Sequence, residues 1–200
     1  SLFDQYAHYY DQHLTTHLGY QAHQLLFNHT KVDLVDRHNS TILDLGCGTG
    51  LCGELFRPYT NQLTGIDISD KMLGIAESKQ TYDHLIKDDI LAAIAKLGHY
   101  DLILAADVFT YFGDLAPLIK HCHDHLNPAG ILAFTVERHQ GKDNFILQPT
   151  IRYAHQYAYL HLLLTHQGFQ DITITSCTLR YHFKQPIMGY VVTAHKRIAH

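Results

Sequence analysis

The chain has 200 residues, 46% hydrophobic and 17% charged, a balance that suits one well-cored globular domain rather than a disordered segment. Its formal net charge is −4 and its lysines and arginines do not cluster, so the electrostatic footprint of a nucleic-acid surface is not evident and no nucleic-acid partner is expected. No stretch approaches a membrane span, no signal peptide is visible, and the four cysteines lack the spacing of a disulfide framework. A cytoplasmic protein with reduced thiols, and with no membrane partner, is the expectation.

The chain opens on Ser1, which leaves both a processed form and a piece of a longer protein open. Residues 1–38 read as a helical cap rich in aromatics and histidines, with Tyr6 and Tyr10 four apart on one face. Thr41–Leu45 is a short apolar strand followed by Gly46, Gly48 and Gly50, a tight turn that brings backbone N–H groups against a ligand. Gly50–Arg57 reads as a helix stopped by Pro58, and Leu63–Asp67 as the second strand. Ser69 or Asp70 caps the helix carrying Met72, Leu73 and Ala76. His84–Lys87 is a short third strand, Leu91–Leu97 a helix, and Tyr100–Ala106 a buried fourth strand ending at Asp107.

Asp114 caps a helix to about Leu126, Asn127–Gly130 is a turn, and Ile131–Val136 is the fifth strand. A polar loop at 138–149 has the length of a lid, and Thr150–Gln167 reads as the last helix, ended by Gly168. Strands at Ile172–Leu179 and Ile187–His195 follow, joined by too few residues for a helix, so they form an antiparallel pair. The alternation predicts an α/β fold: a Rossmann-like, doubly wound, mostly parallel seven-stranded sheet with a C-terminal antiparallel hairpin. The 200 residues divide into a helical cap (1–38), a cofactor-binding core (40–136), and a lid loop, last helix and closing hairpin (138–200).

Eighteen histidines are spread along the chain, with one local concentration at His121, His123 and His125. On a helix, His121 and His125 stand one turn apart and could share a metal ion. Spacing supplies no third ligand, and Leu115, Leu118, Ile119, Cys122 and Leu126 make a coherent buried face. The histidines are therefore read as wet, and no metal is expected.

The glycine turn has two readings. Gly46-x-Gly48-x-Gly50 is one frame, and Gly48-x-Gly50-x-x-Gly53 matches the dinucleotide fingerprint literally. Asp44, two residues before the first glycine, suits the amino end of a methionine moiety and sits poorly beside a pyrophosphate. The closing hairpin, which an ordinary doubly wound dehydrogenase does not need, tilts the same way. Both favour S-adenosylmethionine as cofactor, with S-adenosylhomocysteine as product.

With these residues in place, the chain resembles a class I S-adenosylmethionine-dependent methyltransferase. D-L-G-C-G-T-G at Asp44–Gly50 matches the family's first motif, G-I-D-I-S at Gly65–Ser69 its second strand and acidic end, and D-L-I-L-A-A-D at Asp101–Asp107 its fourth strand. L-N-P-A-G at Leu126–Gly130 is similar to the family's L-x-P-G-G turn, with alanine replacing one glycine. The opening F-D-Q-Y-A-H-Y-Y-D-Q-H-L, the run A-A-D-V-F-T-Y-F-G-D-L and the later R-Y-A-H also resemble predicted bacterial methyltransferases sometimes fused to tetratricopeptide repeats. No such repeat is present in this sequence.

The candidate site follows. Gly46, Cys47, Gly48 and Gly50 form the turn, and Asp67 is placed to accept both ribose hydroxyls, with Ile68 bordering the adenine. The resemblance puts an acid after the third strand against the adenine amino group, Asp89 with Ile90 on the ring; Asp88 or Asp89 can instead cap the next helix. Asp107 faces the crevice at the sheet's carboxyl edge, where it can touch the methionine end, orient the acceptor or act as a base. Val108, Phe109, Tyr111 and Phe112 can wall the pocket. The resemblance implies that an N-terminal segment carrying Tyr6 and Tyr10 closes over the cofactor, where an aromatic face gains from a nearby sulfonium. Arg152, Tyr153 and His155 open the helix after the loop and Arg180 ends the sixth strand; the cationic groups there could hold an acidic acceptor, and His155 could accept a proton.

The implied reaction is in-line transfer of a methyl group to a small-molecule acceptor. No N-P-P-Y or D-P-P-Y follows the fourth strand, which argues against amino-methylating nucleic-acid enzymes. A protein acceptor, an NAD-dependent oxidoreductase and a cofactor-binding module without catalysis remain as alternatives.

Overall fold

A computed structural model of the chain describes residues 2–17, 19–37 and 39–198, with the side chains of 2–4, 6, 7 and 17 outside it. Each central strand alternates its side chains between two cores, as the two-residue period of a strand requires. In β1 (Ser40–Leu45) Ile42 joins one core while Leu43 and Leu45 join the other, and in β4 (Tyr100–Ala105) Leu102 and Leu104 oppose Ile103 and Ala105. α2 (Ala22–Leu34) and α3 (Leu51–Phe56) cover the first face through Leu26, Leu34, Cys52 and Phe56. The second face carries α5 (Ile90–Ile94), α6 (Ala116–Asp124) and α7 (Tyr157–Gln167), through Ile94, Leu118, Ile119, Cys122, Leu160 and Leu164. The apolar face expected of α6 is thus the one buried. α1 (Leu2–Gln12) and α4 (Asp70–Ser78) complete the helices. No helix among the described residues is long and apolar enough to cross a membrane.

β2 (Thr60–Asp67), β3 (His84–Lys87) and β5 (Leu126–His139) run parallel to β1 and β4 in the order β3-β2-β1-β4-β5. β8 (Phe169–His182) and β9 (Gln185–Lys196) close the sheet, β9 lying antiparallel to both β5 and β8. The mostly parallel sheet with its antiparallel hairpin is the expected one, but it has nine strands rather than seven, because two short strands after β5 also join it. The hairpin turns at Phe183 and Lys184, with φ of 46° and 63°, the left-handed pair that a two-residue connection matching strand twist requires.

Several boundaries differ from expectation. Pro58 ends α3 but opens a 3-10 turn, Arg57–Tyr59, since its missing N–H costs nothing in a first turn. α5 ends at Ile94, short of Leu97. Asn127–Gly130 is an insertion inside β5: Leu126 pairs with Tyr100, and pairing resumes at Ile131 with Leu102. The larger change concerns 138–167. Instead of a lid loop and a long helix, β5 continues to His139, β6 spans Phe145–Leu147, β7 spans Tyr153–Gln156, and only Tyr157–Gln167 is helical. Glu137 pairs with Gly189 on one side and Ala154 on the other, so β7 takes the edge that β4 leaves free when it ends. The β6–β7 ribbon therefore stands beyond the carboxyl end of β4, over the place where α/β sheets bind ligands.

Candidate active site

The apolar run of β1 ends in the glycine turn, and each glycine there faces something different. A Cβ on Gly46 would lie 2.4 Å from the Val108 side chain, so this position is closed by packing. Gly48, at φ 53°, has nothing within 4 Å of the same construction; its bare face opens on a cavity. Gly50 caps α3 and lies against the Tyr82 ring. At Gly53 a Cβ would come within 2.6 Å of that ring. The last glycine of the literal dinucleotide frame thus makes room for an aromatic side chain, a different use from the helix–strand contact it serves in that fingerprint.

The cavity, about 510 Å³, lies at the carboxyl ends of β1, β2 and β4. A smaller lobe of about 100 Å³ adjoins it beneath the glycine turn, and Tyr10, Gly46 and Gly48 border both. Asp67, Ile68, Asp89, Ile90 and Asp107 line the larger space, and Asp44 and Cys47 the smaller. Gly50 lines neither, and the Tyr6 side chain lies outside the described residues. Phe109 is fully buried in the core and no wall of the cavity.

Asp67 is preset by backbone. Gly48 N–H donates to Oδ2 and Ser69 N–H to Oδ1, both at 2.9 Å, while Ser69 itself caps α4 by accepting from Met72 N–H. Asp89 caps α5, its Oδ2 accepting from Ala92 N–H at 3.1 Å, and Asp88 Oδ1 accepts from Asp89 N–H at 2.8 Å. Both still border the cavity. Asp44 is buried and accepts a 2.6 Å hydrogen bond from the Tyr82 hydroxyl. Burial pushes its carboxyl up to about 7; the Tyr82 bond opposes the rise and the negative charge of Asp67 adds to it.

The opposite wall is ionic. Asp107 holds φ at 59°, a left-handed conformation sustained by its N–H donating to Thr135 Oγ1 at 2.8 Å. Arg180 Nη1 donates to both carboxylate oxygens of Asp107, at 2.8 and 3.1 Å, and its Nη2 lies 3.2 Å from Glu137 Oε2. These side chains are 10%, 14% and 6% exposed for Asp107, Arg180 and Glu137, so the pairs are enclosed. Burial raises the Asp107 carboxyl, and Arg180 and Arg152 pull it back. Arg180 is therefore committed to two carboxylates rather than offered to an acceptor. Arg152 Nη1 stands 3.9 Å from Asp107, with its guanidinium carbon 5.9 Å from the Tyr111 ring centre, and it borders the cavity.

His155 is placed elsewhere. It sits on β7 instead of opening a helix, is fully buried, and its Nε2 donates to the Gly113 carbonyl at 2.9 Å. Burial lowers its pKa, and the ring is absent from the cavity wall, which corrects its assignment as a proton acceptor there.

The cap supplies residues that sequence reasoning missed. Leu14, in a π turn over His13–His17, and Tyr20, just before α2, border both spaces with Tyr10. No local pattern marks them; they meet the site only because α1 folds back. Asp11 ties α1 down, accepting from the Thr49 hydroxyl at 2.7 Å and pairing with Lys79, which also reaches Glu54 at 2.8 Å.

Residues 43–132 match the family described as a methyltransferase domain. The malonyl-[acyl-carrier protein] O-methyltransferase of Pseudescherichia vulneris is 31% identical over 133 residues, covering 66% of this chain and 51% of that protein. The ubiquinone biosynthesis O-methyltransferase of Aromatoleum aromaticum is 28% identical over 119 residues, covering 54% and 50%. The chain thus spans about half the length of the curated relatives it matches. The magnesium protoporphyrin IX methyltransferase of Synechocystis, solved with bound S-adenosylmethionine, shares the fold at a TM-score of 0.64 and 21% identity, over 88% of this chain and 80% of that one. A glycine turn open toward an acid at the end of β2, the β3-β2-β1-β4-β5-β9-β8 sheet and the matched domain agree. Over residues 43–132 the chain is similar to methyltransferase domains, and its fold is that of a solved methyltransferase with bound S-adenosylmethionine.

Proposed function

We propose that the chain transfers the methyl group of S-adenosylmethionine to a small-molecule acceptor in the cytoplasm, leaving S-adenosylhomocysteine. One observation carries the reading: the open face of Gly48 lies between two carboxylates of different kinds. Asp67, with both oxygens oriented by backbone N–H groups, suits a ribose diol, and buried Asp44 suits an ammonium. A pyrophosphate next to Asp44 would meet like charge. The residues present therefore fit this cofactor.

Bound S-adenosylmethionine supplies a methyl group on a sulfonium, open to in-line displacement. The chain's own residues bind, orient and exclude water. Asp67 accepts the ribose hydroxyls, Ile68 and Ile90 flank the adenine, and Asp89 offers the oxygen its helix cap leaves over. Tyr10 covers the sulfonium region from the cap. Tyr111, Phe112 and Arg152 shape the acceptor side, and Asp107, held by Arg180, orients the acceptor rather than taking its proton. The named relatives and the structural neighbour have unlike acceptors in their names, so what supports the reading is the methyl transfer they share and the S-adenosylmethionine bound in the neighbour.

The test is calorimetric titration with S-adenosylmethionine, S-adenosylhomocysteine and NADH. The first two bind and NADH does not; Asp67→Ala weakens both about tenfold or more, as expected when hydrogen bonds to a charged group are lost. NADH binding, or undiminished affinity in Asp67→Ala, overturns the reading. Release of S-adenosylhomocysteine across a panel of small acceptors then separates an enzyme from a cofactor-binding module.

A further inference from the structure

Tyr82 lies in none of the motifs quoted for the family, yet it is the residue against which the glycine pattern is built. It follows α4 and precedes β3, and its ring reaches under the glycine turn. A Cβ would approach that ring to 3.0 Å at Gly50, 2.6 Å at Gly53 and 2.9 Å at Gly65. Three glycines from two segments thus leave one slot, and the side chain in it ends in a hydroxyl 2.6 Å from Asp44 Oδ2. Packing alone would be served by phenylalanine. The hydroxyl has a specific recipient, and that recipient borders the lobe beneath the turn.

We propose that Tyr82 is a positioning residue of the cofactor site: its hydroxyl, passed through the slot left by Gly50, Gly53 and Gly65, holds the Asp44 carboxylate in place for the ammonium group of the cofactor's methionine end. The inference rests on the methyltransferase reading above. The hydroxyl donates, so it stabilises the ionised carboxylate, the form an ammonium needs. The other groups facing Asp44 do not do this. Asp67 from β2 repels it, Cys47 from the turn and Cys52 from α3 are buried thiols pushed toward the neutral form, and Tyr20 is a phenol raised by burial. His23 of α2, which borders the same lobe, is shifted down by burial and so toward its uncharged form. Tyr82 is the neighbour that opposes the upward shift of Asp44.

The experiment compares wild type with Tyr82→Phe, which keeps the ring in its slot. Affinities for S-adenosylmethionine and for 5′-methylthioadenosine, which lacks the amino acid end, are measured by calorimetry between pH 5.5 and 8.5. In wild type, S-adenosylmethionine affinity falls as pH drops below about 7, where Asp44 takes up a proton, by up to about tenfold per pH unit. In Tyr82→Phe that fall begins at higher pH, affinity at pH 7 drops about three- to tenfold, and 5′-methylthioadenosine binds both proteins alike. Equal loss for both ligands would make Tyr82 a packing residue and overturn the inference. An unchanged S-adenosylmethionine profile in Tyr82→Phe would overturn it too, while leaving the methyltransferase reading intact. Failure of wild type to bind S-adenosylmethionine at all would overturn both. A carbon-13 titration of the Asp44 carboxyl in the ligand-free proteins gives an independent readout, with its midpoint higher in Tyr82→Phe.

Discussion

Ala129 holds φ at 63° in the insertion between Leu126 and Ile131, and Arg37 Nη1 donates to its carbonyl at 3.3 Å. A left-handed alanine pays for its Cβ, which glycine lacks. Ala129→Gly is therefore expected to stabilise the chain by about 0.5–1 kcal/mol, against the usual direction of an alanine-to-glycine change. Reversible urea unfolding reads this as a higher midpoint at unchanged slope; a lower midpoint would show that the insertion does not hold the alanine in strain. Asp44, Gly48 and Asp67 could be picked out because strand, turn and acid lie close together along the chain and their spacing reflects local backbone geometry. Tyr82 and Tyr20 carry no such mark. Their roles arise from contacts between segments.

The bulge in β8 shows the same division among elements. Thr178 pairs with Met188 and Arg180 with Ile187, so Leu179 is the extra residue. Such an insertion turns the side chains that follow, and Arg180 is aimed at Asp107 and Glu137, from β8 across to the end of β4 and to β5. Arg180→Ala leaves two enclosed carboxylates without their cation and is expected to cost about 3–5 kcal/mol. The sign with pH follows from the charges. Without Arg180 the Asp107 carboxyl is held further above its unfolded value, so the deficit is small where it is protonated and grows as pH rises. Denaturation at pH 5 and pH 8 measures it; an equal deficit at both would remove the electrostatic account. The apolar spacing of the 150–167 segment fits one long helix, but only Tyr157–Gln167 is helical. Tyr153–Gln156 becomes a strand because β5 outruns β4 and presents an open edge, a fact no local window contains.

For the whole molecule, cofactor binding and folding are linked. At a S-adenosylmethionine concentration about 100 times its Kd, the folded state gains about 2.7 kcal/mol, which for a chain of this size raises the melting temperature by roughly 5–10 °C. Asp44 gives this a pH dependence. Its carboxyl is raised to about 7 in the folded chain, so its contribution to ligand-free stability is full below about pH 4 and lost as pH rises through 7. An ammonium beside it favours the ionised form and flattens that loss. Melting curves from pH 4 to 8, with and without S-adenosylmethionine, should diverge as pH increases; parallel curves would separate Asp44 from the bound ammonium.

The alternation of apolar strands with helices and the short link between the last two strands were enough to specify the doubly wound sheet and its closing hairpin, and Asp44 before the glycine turn with Asp67 after it pointed to the methyl donor. Those features depend on periodicities and spacings repeated along the chain, which local sterics and burial translate directly into structure. Tertiary structure decided what lies far apart in sequence: Tyr82 under the glycine turn, Arg180 against Asp107, His155 withdrawn into the core and Tyr20 brought to the cavity. Each depends on how helices and ribbons pack across the sheet, and packing partners are chosen by shape and charge in three dimensions, for which the order of residues holds no local signal.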